Sequence, residues 1–189
     1  MQKRKNKNLT LPDLVVLSLL SEKPMHGYYI VNQLEVRDAK DWAPVSRPQV
    51  YYSLKKLLGM KLIYNDSNGE SSLGPERVQY HIGKTGEEAL NHALSSEKWA
   101  SQRSPSPFMT WMGLSSNLSK KTTRRLIALR KSFLEKELIR ERTTLKDIKK
   151  NSDHMTAAAM LMVSFTIQQF EAEIKWLDTV DLFLTNVRK

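Results

Sequence analysis

The sequence predicts a mainly α-helical protein in two parts, and three observations carry that reading. Apolar residues recur at helical spacing over most of the chain, and clean two-residue alternation is confined to one short stretch. A Ser/Pro break, Arg103-Ser104-Pro105-Ser106-Pro107, then separates that stretch from a second half without strand signals. Before the break, three helices and a hairpin make a winged helix-turn-helix, in which the third helix enters the major groove. After it comes an all-helical part suited to dimerisation. The expected divisions are a disordered basic tail over residues 1–9, the winged helix-turn-helix over 10–102 and the helical dimerisation domain over 103–189.

Thr10 begins the first helix, with Pro12 near its first position and Asp13 in its first turn. Leu14, Val15, Val16, Leu17, Leu19 and Leu20 leave it almost no polar face, so it should be buried. Glu22 to Pro24 makes a turn. Met25-His26-Gly27-Tyr28-Tyr29-Ile30 is expected to open a second helix with an apolar edge of Ile30, Val31 and Leu34, closed by Asp38 to Asp41.

Residues 42–63 form the centre of the first part. Val50, Leu54, Leu57 and Leu58 fall on one helical face, and Pro48, Gln49, Tyr52, Lys55 and Lys56 on or beside the other. Ser46 can cap this helix, and Pro48 is tolerated because it lies in the first turn. No acidic residue stands between Trp42 and Tyr64, while Arg47, Lys55, Lys56 and Lys61 do. Such a face has two readings, a solvated surface or a surface for an anion. The forked side chains of Arg47 and Gln49 suit guanine and adenine edges, which favours a recognition helix.

Leu62-Ile63-Tyr64 reads as a strand, and Arg77 to Ile82 alternates with Val78, Tyr80 and Ile82 on one face. Between them, Asn68-Gly69 and Gly74-Pro75 mark the turn of the wing. A fourth helix is expected from Gly83 to Ala100. Beyond the break, Phe108 to Leu118 is a short segment carrying Phe108, Trp111 and Met112. Ser119 then caps a long helix running to about Asn151, with Lys or Arg at 12 positions and Asp or Glu at four. In the last helix Met160, Val163, Ile167, Phe170, Ile174, Leu177 and Leu184 alternate spacings of three and four, interrupted at Asp181. The two long helices should pair antiparallel, with Val163, Ile167, Phe170, Ile174 and Leu177 as the dimerisation seam.

Net charge is +10, of which residues 1–100 carry +3 and residues 101–189 carry +7. The first part therefore relies on local clusters, namely the recognition helix and the tail bases Lys3, Arg4, Lys5 and Lys7. With no cysteine there is no disulfide, thiolate nucleophile or thiolate metal site. His26, His81, His92 and His154 lack ligand spacing, and neither a nucleophile elbow nor a glycine-rich phosphate loop occurs. The chain is expected to be no enzyme and to need no metal or cofactor. The N-terminus does not resemble a signal peptide, and the uncharged run Met155 to Phe170 is 16 residues and short of a span. A cytoplasmic protein without membrane contact is expected.

Taken together, Pro24-Met25-His26-Gly27-Tyr28, the Trp42 to Leu57 block with Ser46, Gln49, Val50, Tyr51 and Leu54, Gly86 with Ala89 and Leu90, Phe108-Met109, and Glu173 with Trp176-Leu177 resemble the PadR family of bacterial transcriptional regulators. The likeness is to the longer subgroup with a helical C-terminal domain. It implies a homodimer that binds an inverted repeat in double-stranded DNA near a promoter. Most such regulators repress, some released by phenolic acids or other small aromatics, and a minority activate. By position, Ser46, Gln49 and Tyr51 match the family's DNA-contacting helix.

Three features depart from the pattern. Lys61 stands where the family usually has a glycine ending the recognition helix, and a left-handed cap there costs on the order of 1 kcal/mol. Gly83 replaces the usual threonine cap before the fourth helix. In the wing, Asp66, Glu70 and Glu76 outnumber Arg77, so the wing should add little to affinity and the basic tail should compensate.

The expected DNA contacts are Lys3, Arg4, Lys5, Ser46, Arg47, Gln49, Tyr51, Tyr52, Lys55, Lys56 and Arg77, with Arg47 and Gln49 reading bases and Tyr51, Tyr52, Lys55, Lys56 and the tail holding phosphates. Trp99, Phe108, Trp111 and Trp176 have two readings, an effector pocket where the domains meet or ordinary packing anchors. The rival function is a winged-helix protein-interaction module with a coiled-coil dimerisation arm that reads no DNA sequence.

Overall fold

The computed structural model describes residues 9–66, 78–102, 106–150 and 156–186. The chain divides into two compact units, Met1–Arg103 and Ser104–Lys189.

In the first unit, α1 (Leu11–Glu22) is buried along almost its whole length, as its continuous apolar sequence requires. The short strand β1 (Met25–His26) leads into α2 (Gly27–Val36), and a single 3-10 turn at Ala39–Asp41 connects to α3 (Arg47–Gly59). Then come β2 (Ile63–Asn65), β3 (Gln79–Ile82), α4 (Lys84–Leu94) and the one-turn α5 (Lys98–Ser101). The sheet has the order β1-β3-β2, antiparallel throughout, with Met25 opposite Tyr80 and Tyr64 opposite His81. Val16, Leu17, Ile30, Val50, Leu54 and Leu57 form the centre of the core, closed by Met25, Leu62, Ile63, Tyr80 and Leu90 from the sheet and α4.

Two expectations are corrected. Met25 and His26 are not the start of a helix. They are extended and pair with β3, and the helix begins only at Gly27. The expected fourth helix stops at Leu94. Ser95 turns its hydroxyl back onto the Asn91 carbonyl and competes with helix propagation, and α5 is a separate turn.

Two glycines are fixed by close approach. A Cβ on Gly27 would lie 2.9 Å from the Tyr51 ring, and one on Gly86 would lie 2.2 Å from the Leu62 carbonyl oxygen. The second packs the start of α4 against the chain leaving α3. The Thr85 hydroxyl reinforces the join by donating to the Lys61 carbonyl at 2.9 Å.

The second unit contains α6 (Pro107–Leu114), a 3-10 turn at Ser115–Asn117, and the long helices α7 (Lys120–Lys150) and α8 (Thr156–Asn186). The Ser119 hydroxyl caps α7 by accepting the Thr122 N–H. Helices α7 and α8 run antiparallel around Ile127, Leu134 and Leu177, with Phe108, Trp111 and Met112 of α6 packed against them. Arg130 forks onto Glu173 at 2.8 and 3.0 Å, and Lys131–Asp178 and Arg142–Glu171 flank it. Among the described residues, no helix is long and apolar enough to cross a membrane.

Candidate nucleic-acid interface

The exposed face of α3 starts at its cap. Ser46 is extended, and Gln49, three residues on, completes a capping box: its Oε1 accepts the Ser46 N–H at 2.8 Å and the Ser46 hydroxyl at 2.9 Å. Gln49 is therefore held by its carbonyl end, and its amide nitrogen is not used by the capping box. Arg47, Pro48, Gln49, Tyr52 and Lys55 are all exposed, Tyr52 by 71%. Tyr51 is half-buried against Gly27, and the Arg47 guanidinium lies over its ring at 5.9 Å. Together they give α3 a face without an acidic residue of its own, carrying an amide, a guanidinium, two phenols and an ammonium, with Glu35 and Asp38 lining a cleft beside Arg47.

Lys56 does not belong to that surface. Its side chain runs inward along the edge of the helix, and its ammonium ion-pairs with Asp13 of α1 at 2.5 Å. Asp13 is fully buried and also accepts the Thr10 N–H and hydroxyl, both at 2.8 Å. Burial opposes ionisation of this carboxyl. The hydrogen bonds from Lys56 and Thr10, with a smaller contribution from Ser53, outweigh that and hold its pKa below the ordinary aspartate value. The expected phosphate contact is thus an internal ion pair. Lys56 was assigned outward because a lysine beside an exposed face ordinarily extends to water, and the acid that draws it in lies 43 residues away.

Asp66, expected to repel phosphate, is likewise engaged at the neck of the wing. It pairs with His81 at 2.8 Å, and the His81 ring stacks on Tyr64 at 5.0 Å. Lys3, Arg4, Lys5, Glu70, Glu76 and Arg77 lie outside the described residues.

Of the four aromatics considered for a pocket, Phe108 and Trp111 stack at 5.0 Å and Trp176 packs on the same cluster. Trp99 belongs to the first unit, where its indole N–H donates to the Ala93 carbonyl at 2.9 Å. Sequence reading missed Arg130, whose guanidinium lies 5.2 Å from the Phe108 ring and 5.5 Å from that of Phe133.

The expected dimer seam is partly consumed within the chain. Leu177 is buried against α7, Phe170 and Ile174 pack on the same cluster, and Val163 and Ile167 are half-buried. Among the described side chains of α8, the large apolar ones left exposed are Leu161, Met162, Phe165 and Leu182.

Residues 16–92 match the model of the transcriptional regulator PadR-like family. No curated protein matches the chain. Among solved structures, PadR of Bacillus subtilis in complex with operator DNA is similar with a TM-score of 0.74 at 17% identity, covering 94% of this chain and 99% of that one. The same protein in complex with p-coumaric acid gives 0.73 at 16% identity, over 98% and 100%. A PadR-like transcriptional regulator of Bacillus cereus gives 0.68 at 17% identity, over 92% and 98%. Likeness at these identities is a likeness of fold, and it extends through the helical second unit.

Proposed function

Starting from a chain that carries a PadR-like regulator domain over residues 16–92, we propose that the protein is a transcriptional regulator that reads an inverted repeat in double-stranded DNA as a homodimer and represses by occluding polymerase. The observation that carries the reading is the exposed face of α3. It offers Arg47 and Gln49 at the helix start, where a recognition helix meets base edges, with Tyr52 and Lys55 following toward the phosphates. Operator DNA bound to a protein of the same fold supports it. Affinity comes from charge contacts to the backbone and falls with salt, and specificity comes from the few base-directed groups.

An effector of the small aromatic carboxylate class fits the same reading, since p-coumaric acid is bound by a protein of this fold. The Phe108–Trp111–Trp176 cluster supplies ring surface, and Arg130 beside it is already forked onto Glu173, so an effector carboxylate would compete with Glu173 for that cation. Saturable quenching of tryptophan fluorescence by one member of a phenolic-acid panel supports the effector, and its absence across the panel removes it.

The deciding experiment is selection of bound duplexes from a random pool by the purified protein at low and near-physiological salt. An enriched inverted repeat that survives the higher salt establishes a sequence-reading dimer. Binding that vanishes as salt rises, with no enrichment, overturns the reading and leaves the protein-interaction module.

A further inference from the structure

We infer that Lys56 is a positioning residue: its ion pair with Asp13 fixes the rotation of α3 against α1 and thereby sets sequence discrimination, while Lys56 itself neutralises no phosphate. This rests on the reading of α3 as a recognition helix.

The argument begins with what otherwise holds α3. Its buried side, Val50, Leu54 and Leu57, is aliphatic apart from Ser53, and aliphatic packing is weakly directional. Side chains on a helix reach about 5–6 Å from its axis, so turning α3 by about 10° displaces a base-facing group by about 1 Å. A forked hydrogen bond does not survive such a displacement. A buried charge pair removes this freedom, because a carboxylate with no water access accepts its cation in one place only.

Asp13 is itself immobile. The Thr10 N–H and hydroxyl both donate to Oδ2, the oxygen that also receives Lys56, so the ammonium of α3 is tied to the capping box that starts α1. Lys56 lies one helical turn from Tyr52 and next to Lys55, both on the exposed face. The anchor therefore sits on the flank of the helix, beside the groups that would touch DNA. Uniform salt-dependent affinity does not need it; discrimination does.

The test uses the full chain and the double variant Asp13→Asn with Lys56→Met, which removes both charges, nearly keeps volume and leaves an amide oxygen to accept from Thr10. Binding to the selected operator and to a random duplex is measured across salt, with thermal melting to verify folding. The expected result is an unchanged salt slope and a preference for operator reduced by about tenfold. A slope shallower by about one counterion would show Lys56 on a phosphate and overturn the inference. An unchanged preference would overturn it too, by showing that the pair only stabilises the domain.

Leu90→Ala, which weakens the core from α4 without touching the pair, should keep the preference and serves as the control for stability alone. Should the double variant not fold, Lys56→Arg keeps the charge but changes its geometry. It should lower the preference at constant slope, and a full preference sinks the idea. A wild-type protein that favours no duplex over another would instead remove the DNA reading beneath the proposal, before any variant is made.

Discussion

Two residues show how local and remote constraints act on this chain. Lys61 is left-handed, with φ of 56°, and ends α3 in a Schellman pair: its own N–H donates to the Leu58 carbonyl at 2.9 Å and the Leu62 N–H to that of Leu57 at 3.0 Å. A β-carbon is strained there, so Lys61→Gly should stabilise the unit by about 1 kcal/mol, read as a higher urea midpoint at unchanged slope. The feature was visible only through the family resemblance, which places a glycine at this position, because a lysine carries no left-handed signal of its own. Asp13 was not legible, since an acid in a first turn reads equally well as a helper of the helix dipole. Its folded pKa is depressed, so its contribution is fully present above the unfolded value, about 3.8, and is lost as pH falls below that through the folded pKa. The urea midpoints of wild type and Asp13→Asn should differ at pH 6, by about 1.5–3 kcal/mol in stability, and converge as pH drops below about 3.8. A constant gap across that range would mean that the carboxylate charge contributes nothing.

At the scale of elements, the helices were legible and the small sheet was only half so. Periodicity of apolar residues locates α1, α3, α7 and α8, because each buries one stripe or, for α1, nearly everything. Strand β1 is two residues long and exists only because β3 is beside it, so no alternation can announce it. The capping box of α3 joins structure to the proposed recognition, because Gln49 closes the helix start and is also exposed on the face proposed to meet bases. Gln49→Ala is consequently ambiguous, costing about 1 kcal/mol of cap as well as any base contact. Gln49→Glu separates the two. Glutamate completes the same box and complements the helix dipole, so thermal stability should hold or rise slightly. The carboxylate placed toward DNA should lower operator affinity by at least tenfold. Loss of stability without loss of binding would assign Gln49 to the cap alone.

At the scale of the whole molecule, sequence periodicity identified a long seam in the last helix but not which partner each position meets. The seam is shared between α7 of the same chain and open surface, because a hairpin of two long helices has one inner face to satisfy before any second copy arrives. Leu177 is fully enclosed by its own chain, whereas Leu161 and Phe165, one turn apart, are 73% and 60% exposed. Apolar groups of that size on adjacent turns are costly to hydrate, and covering them is the driving force for association. Leu177→Ala should therefore act on folding, costing about 2–5 kcal/mol through the cavity it leaves, with oligomeric state unchanged wherever the protein is folded. Leu161→Glu with Phe165→Glu should act on association instead. For the homodimer proposed above, sedimentation should show dissociation to monomer at micromolar concentration, with helical content retained. Operator affinity should fall in parallel, because two half-sites are then bound without the fixed spacing that links them. A double variant that remains dimeric would place the contact between subunits on another face of the second unit.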